Sequence, residues 1–312
     1  MNSKKGIIVL LATTFLCLMV GPMLGQNTPM SKAAKHISQN LAHPGAIAID
    51  SNYFVDCGEI ANVDYREFLY WTTRVFGAEK TAWYYPDTTV WLREDRMAKL
   101  SNWYFRGPYY HYRPVVGVSF EQAQAYMKWR ADRVFENCLI QEGILEITPN
   151  QDSVHYFSIE NYFSGKINGV QTDYSIPHPV YSLPSLEEWE TICLRAREIN
   201  SKNYKKCCRK RFVDCVDGDS LEIVSSANMY YKDGKWQPEI GLNNVWWSSK
   251  NVFFNLQGNV SEFSSTPGIS LGGSWKNTPE EIRASDTFMY EGPNAWTGFR
   301  CVLHWEYHKK PD

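Results

Sequence analysis

The chain has 312 residues, 44% of them hydrophobic and 21% charged, enough apolar side chain for a full core and unlike the sparse, charge-rich composition of disordered chains. A formal net charge of -2 gives no global field to recruit nucleic acid or an anionic membrane, so no nucleic-acid partner is expected. Aromatic residues make up 15% of the chain and fall in loop-like stretches instead of at helical spacing, which suits an irregular fold whose long loops are pinned by large rings.

Lys4 and Lys5 precede an apolar run over residues 7–20 that meets Gly21 and Pro22. This reads as a secretory signal peptide over residues 1–25. The run is shorter than the roughly 20 residues that span a bilayer, so no transmembrane helix is expected after cleavage. The mature chain is then exported: periplasmic, outer-membrane-associated or extracellular. Cys17 follows the bulky Leu16, where lipoprotein processing wants a small residue, and no lipid anchor is expected.

A polar segment, residues 26–43, leads to a strand at residues 52–55. A first helix follows, with Asn62 as its N-cap and Tyr65, Phe68 and Leu69 at helical spacing. Ser119 and Gln122 form a capping box that opens a second helix, whose Ala123, Tyr126 and Trp129 face inward. Ser185 and Glu188 do the same for a third, with Trp189 and Ile192 on its buried face. Residues 137–179 and 200–219 read as insertions. The second carries Lys202, Lys205, Lys206, Arg209, Lys210 and Arg211, a run read as a solvated loop. Beyond residue 227 come short segments and turns without a long helix. One domain over residues 44–306 and a tail at 307–312 are expected.

Removal of the signal leaves Cys57, Cys138, Cys193, Cys207, Cys208, Cys215 and Cys301. Export permits disulfides, yet an odd number leaves at least one thiol unpaired or paired between chains. The trio at 207, 208 and 215 has neither a nearby histidine nor zinc-type spacing, and reads as a local disulfide or as free thiols. The histidines are dispersed without a paired motif, and no phosphate loop or nucleophile elbow is present.

Six blocks, in order, carry a resemblance. They are Glu59-Ile60-Ala61-Asn62-Val63-Asp64-Tyr65-Arg66-Glu67-Phe68, Pro114-Val115-Val116-Gly117-Val118-Ser119-Phe120-Glu121-Gln122-Ala123 with Tyr126 and Trp129, and Leu183-Pro184-Ser185 with Glu188-Trp189-Glu190. Gly258-Asn259-Val260-Ser261-Glu262-Phe263, Leu271-Gly272-Gly273-Ser274-Trp275 and Thr297-Gly298-Phe299-Arg300-Cys301-Val302 complete the set. Together they resemble the formylglycine-generating enzyme (sulfatase-modifying factor) family over nearly all of the mature chain. The resemblance implies an irregular α+β fold related to C-type lectins, with few helices, short strands and much loop. The usual opening hairpin is reduced here to Pro44-Gly45-Ala46-Ile47-Ala48-Ile49, which implies a shortened or remade sheet edge. The stretch Tyr84-Tyr85-Pro86-Asp87-Thr88-Thr89-Val90-Trp91 is similar to gliding-motility and type IX secretion lipoproteins of Bacteroidetes.

Enzymes of that family oxidise a substrate cysteine with copper and oxygen, and two thiolates must hold the soft Cu(I). By resemblance those cysteines follow the Gly-Gly-Ser block within about a dozen residues. Here the block continues Trp275-Lys276-Asn277-Thr278-Pro279-Glu280-Glu281-Ile282-Arg283-Ala284-Ser285, with Asn277 at the first position and the second in a shortened loop. A neutral, hard amide cannot replace a thiolate, so copper and oxidase activity are not expected. Cys193 and Cys301 fall at positions that pair in the family, but Met127 stands where the partner of Cys301 would be and no cysteine follows Trp275 to serve Cys193. Buried thiols are expected there.

The resemblance also implies calcium on Asn255, Gly258, Val260 and Glu262, a hard oxygen set. A second calcium loop would start at Asn228 and Met229, with Asp233 the nearest further ligand. Ser274 and Arg300 are expected in structural roles, the arginine tying two loops together. The leading expectation is a non-catalytic binding or scaffold protein of the cell envelope, a pseudoenzyme whose lectin-like cleft contacts an envelope protein or a glycan. The alternative is an enzyme using the same cleft with Cys301, Asp286 or the Asn277 loop around a different metal. A third reading is a subunit of a gliding or type IX secretion assembly.

Overall fold

The computed structural model describes residues 31–41, 45–94, 97–148, 150–208, 231–232, 235–236, 253–277, 282 and 286–310. The expected signal peptide, the second calcium loop at Asn228 and Met229, and most of the cysteine trio's surroundings lie outside the described residues.

The chain opens with α1 (Lys32–Gln39), capped by Ser31, whose hydroxyl accepts from the Ala34 N–H at 3.0 Å. Strands β1 (Ala46–Ala48) and β2 (Tyr53–Asp56) follow, then α2 (Asn62–Phe76), the short α3 (Ala78–Thr81) and α4 (Leu100–Trp103), and the 22-residue α5 (Phe120–Gln141). Next are α6 (Ile159–Phe163), β3 (Pro177–Ser182), α7 (Leu186–Cys208) and a small hairpin of β4 (Tyr231–Lys232) and β5 (Lys235–Trp236). The last third holds β6 (Ser261–Phe263), β7 (Ile269–Leu271), β8 (Thr287–Met289), β9 (Thr297–Gly298) and β10 (Val302–Tyr307).

Two four-stranded sheets organise these pieces, one in the order β1-β2-β10-β3 and the other β8-β7-β6-β9. The first is antiparallel throughout, whereas β6 and β9 run parallel in the second. Segregated helices against short sheets, with much connecting loop, make this an α+β fold. Strand β3 alternates cleanly, with Pro177, Pro179 and Tyr181 inward. Two prolines are tolerated because it lies at the sheet edge. The reduced opening hairpin survives as β1, a three-residue strand at the opposite edge.

Both expected capping boxes form. Gln122 N–H donates to Ser119 Oγ at 3.2 Å while Ser119 N–H donates to Gln122 Oε1 at 2.7 Å. Ser185 and Glu188 exchange the same pair at 2.8 and 3.1 Å. The first helix differs from expectation: Ala61 occupies the cap and Asn62 is the first helical residue. The Asn62 side chain is fully buried and donates to the carbonyls of Tyr104 and Tyr110 at 3.2 and 3.0 Å. The orphan Ala61 N–H is met from inside the helix by Asp64 Oδ2 at 3.1 Å. A capping-type residue was drawn inward because a distant loop offered its amide better partners.

The segment at 137–179, read as an insertion, packs into the core. Its first residues finish α5, and Phe157, Tyr162 and Phe163 enter the main core around Phe135. The start of the 200–219 segment is likewise the end of α7. Among the described residues, no helix is long and apolar enough to cross a membrane.

Candidate functional site

A buried hub joins the end of β2 and the stretch after it to the loop at residues 253–260, β6 and the β9–β10 connection. Arg300 sits at its centre with 0% exposure. Its Nε and Nη2 donate to the two oxygens of Glu262, each at 2.6 Å, and Nη2 and Nη1 also reach the carbonyls of Phe254 (2.8 Å) and Asp56 (3.2 Å). One fork thus ties both sheets and the 253–260 loop together, as expected for this arginine. Burial pushes the Glu262 carboxyl up to about 7, against the opposing pull of Arg300.

Beside it lies Glu59, also buried, which accepts from Asn255 Nδ2 at 3.0 Å and Asn259 Nδ2 at 2.7 Å. Burial raises its carboxyl, with Arg300 and the two amides opposing. Both asparagines hold left-handed backbone, at φ 53° and 61°, a conformation that asparagine tolerates better than most residues. A second buried pair completes the hub. Arg130 of α5 makes two bonds to Asp56, at 2.6 and 2.8 Å, and the Cys301 N–H donates to Asp56 Oδ2 at 3.1 Å.

The turn that would precede a copper site follows β7. A Cβ at Gly272 (φ +80°) would meet the Leu256 carbonyl oxygen at 2.5 Å, and one at Gly273 (φ +67°) would meet Ile282 at 2.7 Å. Only glycine fits either place. Just beyond, Asn277 closes a tight turn on Ser274: its Oδ1 accepts from Ser274 N–H at 2.9 Å and from Ser274 Oγ at 3.2 Å. Lys276 leaves this turn to pair with Glu94 at 2.8 Å and sits 3.6 Å over the Trp296 ring. Asn277, expected to stand in place of the first copper-binding cysteine, is therefore an amide committed to holding its own loop.

The expected calcium residues Asn255, Gly258, Val260 and Glu262 do lie in one loop and strand start, and their donors are hard oxygens. Asn255 donates its Nδ2 to Glu59. Glu262, the charged member, already carries Arg300 on both oxygens. The set suits a calcium ion in donor type, but its one carboxylate is already neutralised by Arg300, and calcium affinity follows ligand charge.

Cys301 and Cys193 are buried unpaired thiols, as expected. Burial pushes Cys193 up to about 12 and raises Cys301 further. Met127 packs in the same core cluster as Cys301. Cys301 cannot serve as a nucleophile or metal ligand from there, because both roles need an accessible thiolate. Asp286 is part-exposed at the start of β8 and belongs to neither buried pair. Sequence reasoning missed Glu59, Asp56 and Arg130 as members of the hub. Their partners lie between 74 and 245 positions away, and no local pattern announces pairs so distant.

These features define a class: a loop-rich α+β domain with a buried carboxylate–arginine hub and a glycine turn closed by the Asn277 amide. The chain belongs to the sulfatase-modifying factor enzyme 1-like domain family, whose model matches residues 27–305. No curated protein matches it. A solved structure described as the crystal structure of CarF is similar at 17% identity over 81% of this chain and 86% of that one, with a TM-score of 0.30, too low to carry any argument.

Proposed function

We propose that this chain is an exported, non-catalytic member of its family that acts as a binding or scaffold protein of the cell envelope, recognising an envelope protein or a glycan. The observation that carries the reading is Asn277 locked onto Ser274 in a chain that has no cysteine between Cys215 and Cys301. Soft-metal oxidation of a peptide thiol needs two sulfur donors at that turn. The purified chain, supplied with Cu(I) and oxygen, is expected to leave the cysteine of a sulfatase-type peptide unchanged by mass spectrometry; conversion to the aldehyde sinks the reading.

Two further observations support docking. Trp83, Tyr85 and Leu92 are 52%, 42% and 59% exposed around the loop that is similar to gliding and secretion lipoproteins. The backbone beneath them is fixed, because Gln122 Nε2 donates to the carbonyls of Trp83 and Tyr85 at 2.6 and 3.0 Å. Exposed aromatics on a fixed backbone suit a protein interface. Co-purification with secretion-ring components tests membership of such an assembly.

The rival reading, an enzyme using a different metal or thiol in the same cleft, loses its thiol to burial at Cys301 and keeps only the metal. Elemental analysis separates the two: stoichiometric copper or iron favours the enzyme, and calcium alone favours the scaffold. Calcium at Asn255, Gly258, Val260 and Glu262 would brace the hub's loop. Millimolar calcium is expected to raise the melting temperature by only about 1–3 °C over chelator, given the single, already paired carboxylate. No shift at all removes calcium from the account.

A further inference from the structure

The stretch at residues 103–113, from the end of α4 onward, lies across the start of α2. Its carbonyls are held from beneath: Asn62 Nδ2 donates to those of Tyr104 and Tyr110 at 3.2 and 3.0 Å, and Arg66 Nη1 to those of Phe105 and Arg106 at 3.1 and 3.2 Å. The first two N–H groups of α2, which no helix can satisfy from within, donate to the carbonyls of Arg113 and His111 at 2.8 and 2.9 Å. Tyr104 and Phe105 are buried, and a Cβ at Gly107 would meet the Trp103 carbonyl oxygen at 2.6 Å. The inward side of this backbone is therefore occupied and its course is fixed.

The outward side shows every third residue. Trp103, Tyr109 and Tyr112 are 63%, 76% and 54% exposed, and Arg106 among them is exposed too. Tyr109 and Tyr112 lie on successive three-residue turns, closed by the N–H groups of Tyr110 and Arg113 on the carbonyls of Gly107 and Tyr110 at 3.0 and 3.1 Å. Such turns bring side chains three apart onto one side. Arg113 lies 5.8 Å from the centre of the Tyr109 ring. Charge is equally one-sided here. Between Asp95 and Glu121 the chain carries Arg96, Lys99, Arg106 and Arg113 and no acidic residue, although the whole chain has a net charge of -2. Lys99 and Arg106 are exposed, and neither makes an ion pair among the described residues.

A single sugar or a small anion is held in a concave site. None of the four outward residues lines the cavity of about 230 Å³ between α2 and α5 or that of about 400 Å³ beside β3. Trp, Tyr and Arg are instead the side chains that dominate protein interfaces, and a backbone fixed beforehand has little freedom left to lose on binding. The local excess of cations sets the sign of the partner. We infer that this face docks an acidic segment of a partner protein, with Trp103, Tyr109 and Tyr112 as ring contacts and Arg106 meeting its carboxylates. The inference deepens the envelope-protein arm of the proposed function and rests on it.

The test places the photo-crosslinker p-benzoylphenylalanine at position 109 or, separately, at position 85 of the full chain in the cells that make it, and maps each adduct by mass spectrometry. Position 109 is expected to capture a protein through a segment rich in Asp and Glu. A synthetic peptide of that segment should then bind the purified chain, with an affinity that falls roughly tenfold between low salt and about 0.5 M salt. Arg106→Glu and Tyr109→Ala, both exposed changes, are each expected to weaken the peptide about tenfold at an unchanged melting temperature. Adducts at 109 with polysaccharide, with lipid or with a second copy of this chain overturn the inference. So do a captured segment without net negative charge, peptide binding that neither variant moves, and the lack of any adduct. An envelope protein captured from position 85 alone discards this face and keeps the scaffold reading, whereas no envelope protein from either position counts against both.

Discussion

Arg300 shows how one side chain can hold a loop-rich fold together. Its fork meets Glu262 and two carbonyls from separate segments, so its removal strands a buried carboxylate and two carbonyls at once. Arg300→Met is expected to lower stability by about 3–5 kcal/mol, read by urea unfolding. Restoring much of that loss with a second change, Glu262→Gln, would show that the unpaired charge is the cost. A loss under about 1 kcal/mol would mean the hub is solvated in solution. Asn277 teaches a different lesson at the same scale. The sequence shows that sulfur is missing there, and the structure shows that the amide is employed, bonded to Ser274 through its side chain and backbone.

Helices α5 and α7 start at their capping boxes, whereas α2 has Ala61 at its cap and carries a titrating group in its first turn. Asp64 lies near a helix N-terminus, where the macrodipole favours a carboxylate, yet burial pushes it up to about 6. A carboxyl raised in the folded state contributes stability that is complete below its unfolded value and is lost as pH rises through the folded one. This group should therefore weaken the fold by on the order of 2 kcal/mol between pH 4 and pH 7. Asp64→Asn keeps an acceptor for the Ala61 N–H, and its stability should lack that component of the decline. Parallel pH profiles of the two proteins in denaturant titrations would refute the assignment. At the same scale, α6 and Phe157 from the 137–179 segment complete the core around Phe135.

Across the whole molecule, the first and last segments lock together. Helix α1 buries Ala34 and Ile37, and the carbonyl of Leu41 just after it accepts from Trp305 Nε1 of β10 at 3.1 Å. A chain starting at residue 45 should lose roughly 2–4 kcal/mol, the worth of one buried aliphatic side chain and one hydrogen bond. Circular dichroism melts against the longer chain measure this, and equal melting points would show α1 to be an appendage. Family membership, the α+β class, the two capping boxes and the absence of sulfur at the Gly272 turn were all legible in residue order, because each rests on neighbours within a few positions of one another. Only the tertiary structure decided that Asn62 turns inward, that Glu262 belongs to Arg300, and that Glu59 is shared by two asparagines. Those outcomes depend on which distant groups reach one another first in a place without water, where an unmatched charge or donor costs more than any local preference can repay.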